Sequence, residues 1–166
     1  MFLFLILGLK GGRVKFFLLF HSFFVLLQSV MNRLEYWIKA DTQYNVHSPF
    51  VFDMYRKVLF ARLSRRQKQQ VRWHWGSASP FFQMLYKVMD HYGMEMVERG
   101  GDCAVLEGGG EPSMVTIVDC PHGSASAEED WERMKAGTDC QVTIDLYDVG
   151  LLIWHPKLHR QHFLLK

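Results

Sequence analysis

Apolar positions are spaced differently in three successive stretches of the chain. Residues 1–30 hold two nearly continuous apolar runs, MFLFLILGLK and FFLLFHSFFVLLQSV, with Lys10, Gly11, Gly12, Arg13 and Lys15 between and around them. From Met31 the apolar residues thin out to helical spacing. Leu34, Trp37 and Ile38 in MNRLEYWIKA predict a short amphipathic helix. Ser48-Pro49 reads as an N-cap followed by proline at the first helical position, where the missing N–H costs nothing. That helix is expected to run to about Gln70, with Val51, Tyr55, Val58 and Leu59 on its buried side. Ser79-Pro80 repeats the signal. Phe81, Met84, Leu85 and Val88 form the next apolar stripe, His91 lies in its last turn and Gly93 stops it.

The second half of the chain reads differently. CAVLE and VTIVD are short apolar runs with the length of buried strands. SASAEEDWERMKAG predicts a helix, with Ser126 as N-cap, acids in its first turn and Gly137 as its stop. QVTIDLY and GLLIWH follow as two β-rich runs joined near Asp148-Val149-Gly150, a predicted hairpin, and HFLLK supplies a last short strand. The result is an α/β chain, helices first and then β–α–β–β, with one parallel crossover from Val115 to Ile144.

Length and composition limit what this chain can be. At 166 residues it suffices for one domain with a core. Residues 31–166 are expected to form that domain, and residues 1–30 an apolar extension. The extension reads either as a membrane anchor or uncleaved signal, or as a stretch preceding a biological start at Met31. Its longer run falls short of the ~20 apolar residues that span a bilayer comfortably. A net charge of +2 gives no whole-protein argument for nucleic acid or an anionic membrane. Cys103, Cys120 and Cys140 form no CxxC pair, so neither a zinc site nor a disulfide framework is indicated, and a reducing, cytoplasmic setting is expected.

Two segments carry a family likeness. YWIKADTQYNVHSPFVFDMYRKVL (Tyr36 to Leu59) resembles the amino-terminal helices of a group of bacterial class I SAM-dependent methyltransferase-like proteins with a VHSPFVFD signature. Val115 to Trp154 resembles the carboxy-terminal third of the same proteins, where a strand, a helix and a VTIDLF-like run follow one another. The resemblance implies a Rossmann-like methyltransferase sheet, with Val115 to Val118 as its fifth strand. The two last runs would be its antiparallel sixth and seventh strands. It also implies an O-methyltransferase activity on a small-molecule acceptor, with SAM as methyl donor. Only 62 residues lie from Val105 to the end, too few for seven strands and their crossovers, so the middle of the sheet is expected to be missing.

The candidate site residues follow from this likeness. Glu107 and Gly109 in VLEGGGEPSM match the E-x-G of a cofactor loop, whose glycines would let the backbone approach SAM. The last glycine of the motif is replaced by Ser113, and VTIVD follows at once with no helix to present its N-terminus. A parallel crossover needs a dozen or more residues, so this stretch is expected to join adjacent elements as a turn. Asp119 and His122 match an acidic D-D-I-H segment that would face the acceptor, but Cys120 stands in place of the second acid. A hard cation wants oxygen ligands, and Cys120 with His122 supplies only two ligands for a softer one. The plainer expectation is that Asp119 caps the loop and His122 lies on the surface. Cofactor binding is therefore expected to be weak or lost, with a non-catalytic, partner-binding remnant as the alternative.

Two further features need placing. Arg62, Arg65, Arg66, Lys68 and Arg72 lead into RWHW with Trp73 and Trp75. Charge interleaved with aromatics is how single-stranded nucleic acid is gripped, whereas a solvated helix face ending in core aromatics is the expected reading. His47 in VHSPF is either a residue near a substrate or a contact holding its turn.

Overall fold

The computed structural model describes residues 11–42 and 45–166. The chain divides into two compact units, the first ending at Lys39 and the second running from Ala40 to Lys166. In the first unit, helix α1 (Gly11–Lys39) passes without a break through Met31. The short amphipathic helix expected to begin there is the last part of this longer one. Its predicted stripe is not buried: Leu34, Trp37 and Ile38 are 53%, 55% and 83% exposed. No helix among the described residues is long and apolar enough to cross a membrane. The membrane-associated reading of residues 1–30 thus gains no support from its described part, and residues 1–10 lie outside the described residues.

In the second unit, α2 (Pro49–Met54) begins as its sequence dictates, with Ser48 Oγ accepting from the Val51 N–H and Pro49 in the first turn. It does not continue to Gln70. The helix widens into a π turn over Tyr55–Leu59, closed by the Phe60 N–H donating to the Tyr55 carbonyl, and stops. The reason lies in Ser64-Arg65-Arg66-Gln67, a capping box that starts a separate helix, α3 (Arg65–Trp75). Ser64 Oγ accepts from the Gln67 N–H while Gln67 Oε1 accepts from the Ser64 N–H. Helix α4 (Pro80–Tyr92) matches its expected start, stop and buried stripe, with Gly93 in the left-handed conformation.

Strands β1 (Glu95–Gly100), β2 (Cys103–Glu107), β3 (Met114–Asp119), β4 (Val142–Asp145), β5 (Val149–Trp154) and β6 (Gln161–Leu164) form one mixed sheet in the order β1-β2-β3-β5-β4-β6. Between β3 and β4 comes helix α5 (Ala125–Gly137), started by Ser124 rather than Ser126 and closed by Thr138 donating to the Met134 carbonyl. With the start displaced, Glu128 alone of the three acids falls in the first turn. Strands β1, β2 and β3 are successively antiparallel, a meander. Strand β5 pairs antiparallel with both β3 and β4. Strands β3 and β4 therefore run the same way, joined by α5 and separated by β5. Their crossover is the expected parallel one, although the two strands are not neighbours. Strand β6 pairs parallel with β4.

One face of the sheet meets α2, the π turn and α4. Val51, Met54, Val58, Phe81, Leu85 and Val88 pack there on Leu106, Ile117, Ile144, Leu151 and Ile153. The opposite face is covered by α5, where Trp131 packs with Val118, Cys140 and Leu152. Covered on both sides, β5 is buried from Val149 to Ile153, which explains its unbroken apolar run. Edge strand β1 is exposed at all six positions.

Candidate functional site

Strand β3 separates the two pairs of candidate residues. Glu107 ends β2 opposite Met114, the first residue of β3, and Gly109 lies in the connection between them. Asp119 ends β3, and His122 lies in the connection to α5. Five residue steps at ~3.4 Å each put the two ends roughly 17 Å apart. A donor loop and acceptor-facing groups on opposite ends of one strand do not form a single pocket.

The glycine stretch is a hairpin connection, closed by the Gly108 N–H donating to the Ser113 carbonyl at 3.0 Å. A Cβ built on Gly109 or Gly110 would meet nothing within 4 Å, so neither glycine is required by a close approach. Gly108 packs against Met94. Glu107 is exposed, and no helix follows to aim its N–H groups at a ligand. These residues do not fit the SAM cradle that the family likeness implies.

The other connection is densely tied. Cys120 takes a positive φ of 44°, and its N–H donates to the Asp148 carbonyl at 3.0 Å. Gly123 closes the turn on the Cys120 carbonyl, and Ser124 then caps α5. This geometry turns His122 inward rather than onto the surface: its side chain is 15% exposed, and Nε2 lies 2.8 Å from Asp145 Oδ2. Asp145, the buried last residue of β4, also accepts from Trp131 Nε1 at 2.9 Å and from the Tyr147 N–H at 2.9 Å. His122 Nδ1 faces Glu128 Oε1 at 3.4 Å, and its ring stacks on Tyr147.

Electrostatics follow from these contacts. The hydrogen bond to Asp145 holds the His122 pKa above 6.5, against the opposing effect of burial. For Asp145 burial pushes the pKa up most strongly, and the combined hydrogen bonds from His122, Tyr147 and Trp131 outweigh it, leaving the pKa below 3.8. With each ring nitrogen already facing an acid, His122 is poorly placed to take a proton from an acceptor. Chemically the cluster is a clasp that fastens α5 to the β4–β5 turn.

Asp119 faces elsewhere. It lines a cleft of about 210 Å³ under α5 with Asp102, Cys103, Asp130 and Trp131, and His122 is not part of that lining. Its Oδ1 accepts from Cys120 Sγ at 3.3 Å. Asp119 and His122, three residues apart in sequence, thus serve different surroundings. Among the described residues no group of three or more His, Cys, Asp or Glu side chains could hold a metal ion. His47 is exposed, and its turn is held by Ser48 instead.

Sequence reasoning missed Asp145, Trp131 and Tyr147, the partners that define the clasp. The signal was an acid closing an otherwise apolar strand in VTID: a buried carboxylate demands donors. No family model matches the chain, and neither a curated protein nor a solved structure matches it.

Proposed function

We propose that this chain is a methyltransferase-like protein by descent that has lost the means to bind SAM and acts without catalysing methyl transfer. One observation carries the reading. The order β3-β5-β4, with an antiparallel strand between two parallel ones joined by a helix, agrees with the end of the sheet that the family likeness implies. On the other side of β3 that sheet would continue in parallel strands, each followed by a helix, with the cofactor at their carboxyl ends. Here the antiparallel meander β1-β2-β3 occupies that side. Glu107 and Gly109 are thereby carried to the far end of β3 from Asp119, and a donor has no cradle beside the acceptor-facing groups.

Titration calorimetry of the full chain with SAM tests this. No heat is expected at high micromolar protein. Saturable binding at micromolar SAM, abolished by Glu107→Ala, would reinstate the enzyme reading. The alternative, a partner-binding role, is favoured by edge strand β1, exposed at all six positions, whose outer edge offers backbone groups to another chain.

A further inference from the structure

We propose that the exposed face of α3 binds single-stranded nucleic acid, with Trp73 stacking on a base and the surrounding arginines holding the phosphates. The inference is independent of methyl-donor chemistry.

Charge is segregated along this chain. No acid occurs from Met54 to Met89, although eight Lys and Arg residues do, against a net charge of only +2 for the whole protein. Some of the eight are already engaged: Lys57 pairs with Asp53, and Lys87 donates to the Leu59 carbonyl. The five on α3 or just before it are different. Arg62, Arg65, Arg66, Lys68 and Arg72 are all exposed and form no ion pair among the described residues.

Trp73 decides what kind of polyanion fits. Neither tryptophan joins the core as expected: Trp75 is half-buried and stacks on Phe82 with ring centroids 5.8 Å apart. Trp73 is 87% exposed. At 100° per residue, Arg66, Gln69 and Trp73 share the helix face opposite the buried Val71, with Arg65 and Arg72 along one side and Gln70 along the other. A flat aromatic among phosphate-binding cations suits an unpaired base, because every base offers a π face. A membrane surface would need an apolar face around the tryptophan, and glutamines and arginine occupy those positions instead.

The test is fluorescence anisotropy of a labelled single-stranded oligonucleotide titrated with the full chain at several salt concentrations. Binding is expected to weaken linearly on a log–log salt plot, and Arg66→Gln should reduce the slope by about 0.7. Trp73→Ala should weaken binding about ten-fold with the salt slope retained, and Trp73→Phe should recover part of the loss. Both positions are exposed, and an unchanged thermal melt confirms that the variants fold. The proposal is overturned by absence of binding at 50 mM salt, by a Trp73→Ala variant that binds as the parent does, or by binding to anionic vesicles but not to the oligonucleotide.

Discussion

Trp131 lies directly over Gly150: a Cβ built on the glycine would fall 2.8 Å from the indole Cη2. The close approach lets α5 settle on β5 and carries the indole N–H to Asp145. Gly150→Ala should therefore force the buried ring aside and destabilise the protein by about 1–3 kcal/mol. Urea unfolding checks this. The same substitution on a Trp131→Phe background should cost less, because the smaller ring leaves room, and the two changes should not add.

The clasp of His122 and Asp145 predicts a pH window. The folded state raises the His122 pKa, so its stabilisation is complete below pH 6.5 and is lost as pH rises through the folded value. Asp145 is lowered, so its stabilisation is complete above pH 3.8 and is lost as pH falls through the folded value. Both contributions are present together between those limits. Replacing His122 with Gln should flatten the alkaline side of a stability–pH curve. Asp145→Ala should cost about 3 kcal/mol, since it leaves the His122 and Trp131 donors without their buried acceptor. An NMR titration of the His122 ring gives the folded pKa directly, and a value below 6.5 would refute the clasp.

Much of this arrangement was legible in the sequence where local chemistry and burial agreed. Helix α4 is one such case: its Ser-Pro start, its stripe and its terminal glycine all specify one structure. GLLIWH is another, read as a β-rich run and apolar because β5 is covered on both faces, although Val149 and Gly150, expected in the connection, already belong to the strand. The reading failed where two local signals competed. The apolar spacing of Val58 and Leu59 extends naturally into the arginine run, and it concealed the capping box at Ser64. Strand β1 was missed because EMVERG has no buried face and so no alternating pattern. The clasp depends on residues 23 positions apart, a pairing made by the β3–α5–β4 crossover and not by any local spacing.

Cys120 is exposed, yet burial and the neighbouring Asp119 push its thiol up to about 11. At neutral pH little thiolate forms, so alkylation of Cys120 should be slower than that of a free thiol and should accelerate toward pH 11. Asp119→Asn should bring the pKa down and raise the rate at neutral pH. Mass spectrometry of iodoacetamide-treated protein resolves the site. A Cys120 that reacts at the rate of free cysteine at neutral pH would contradict this environment.

The glycine stretch gives a contrast within three residues. Gly109→Ala should change stability by no more than about 0.5 kcal/mol, since its side chain would enter open space at an ordinary φ. Gly108→Ala should cost more, because its Cβ would lie 3.1 Å from Met94 Cγ. A cofactor loop would show the reverse order of importance, with Gly109 indispensable to ligand approach. Thermal melts of the two variants with and without added SAM separate these outcomes.

Helix α3 depends on its cap more than the other helices do. It buries only Val71 fully and spends most of its surface on arginine and glutamine, so little packing compensates for a lost first turn. Ser64→Ala removes the side chain that accepts from the Gln67 N–H and leaves the Gln67 amide without its hydroxyl partner. The expected cost is about 1 kcal/mol, appearing locally as faster amide exchange across Arg65–Trp75. Exchange in α4, held by Phe81, Leu85 and Val88 against the sheet, should stay unchanged. If both helices loosened together, α3 would belong to the same cooperative unit as the core, and its cap would be a determinant of global stability.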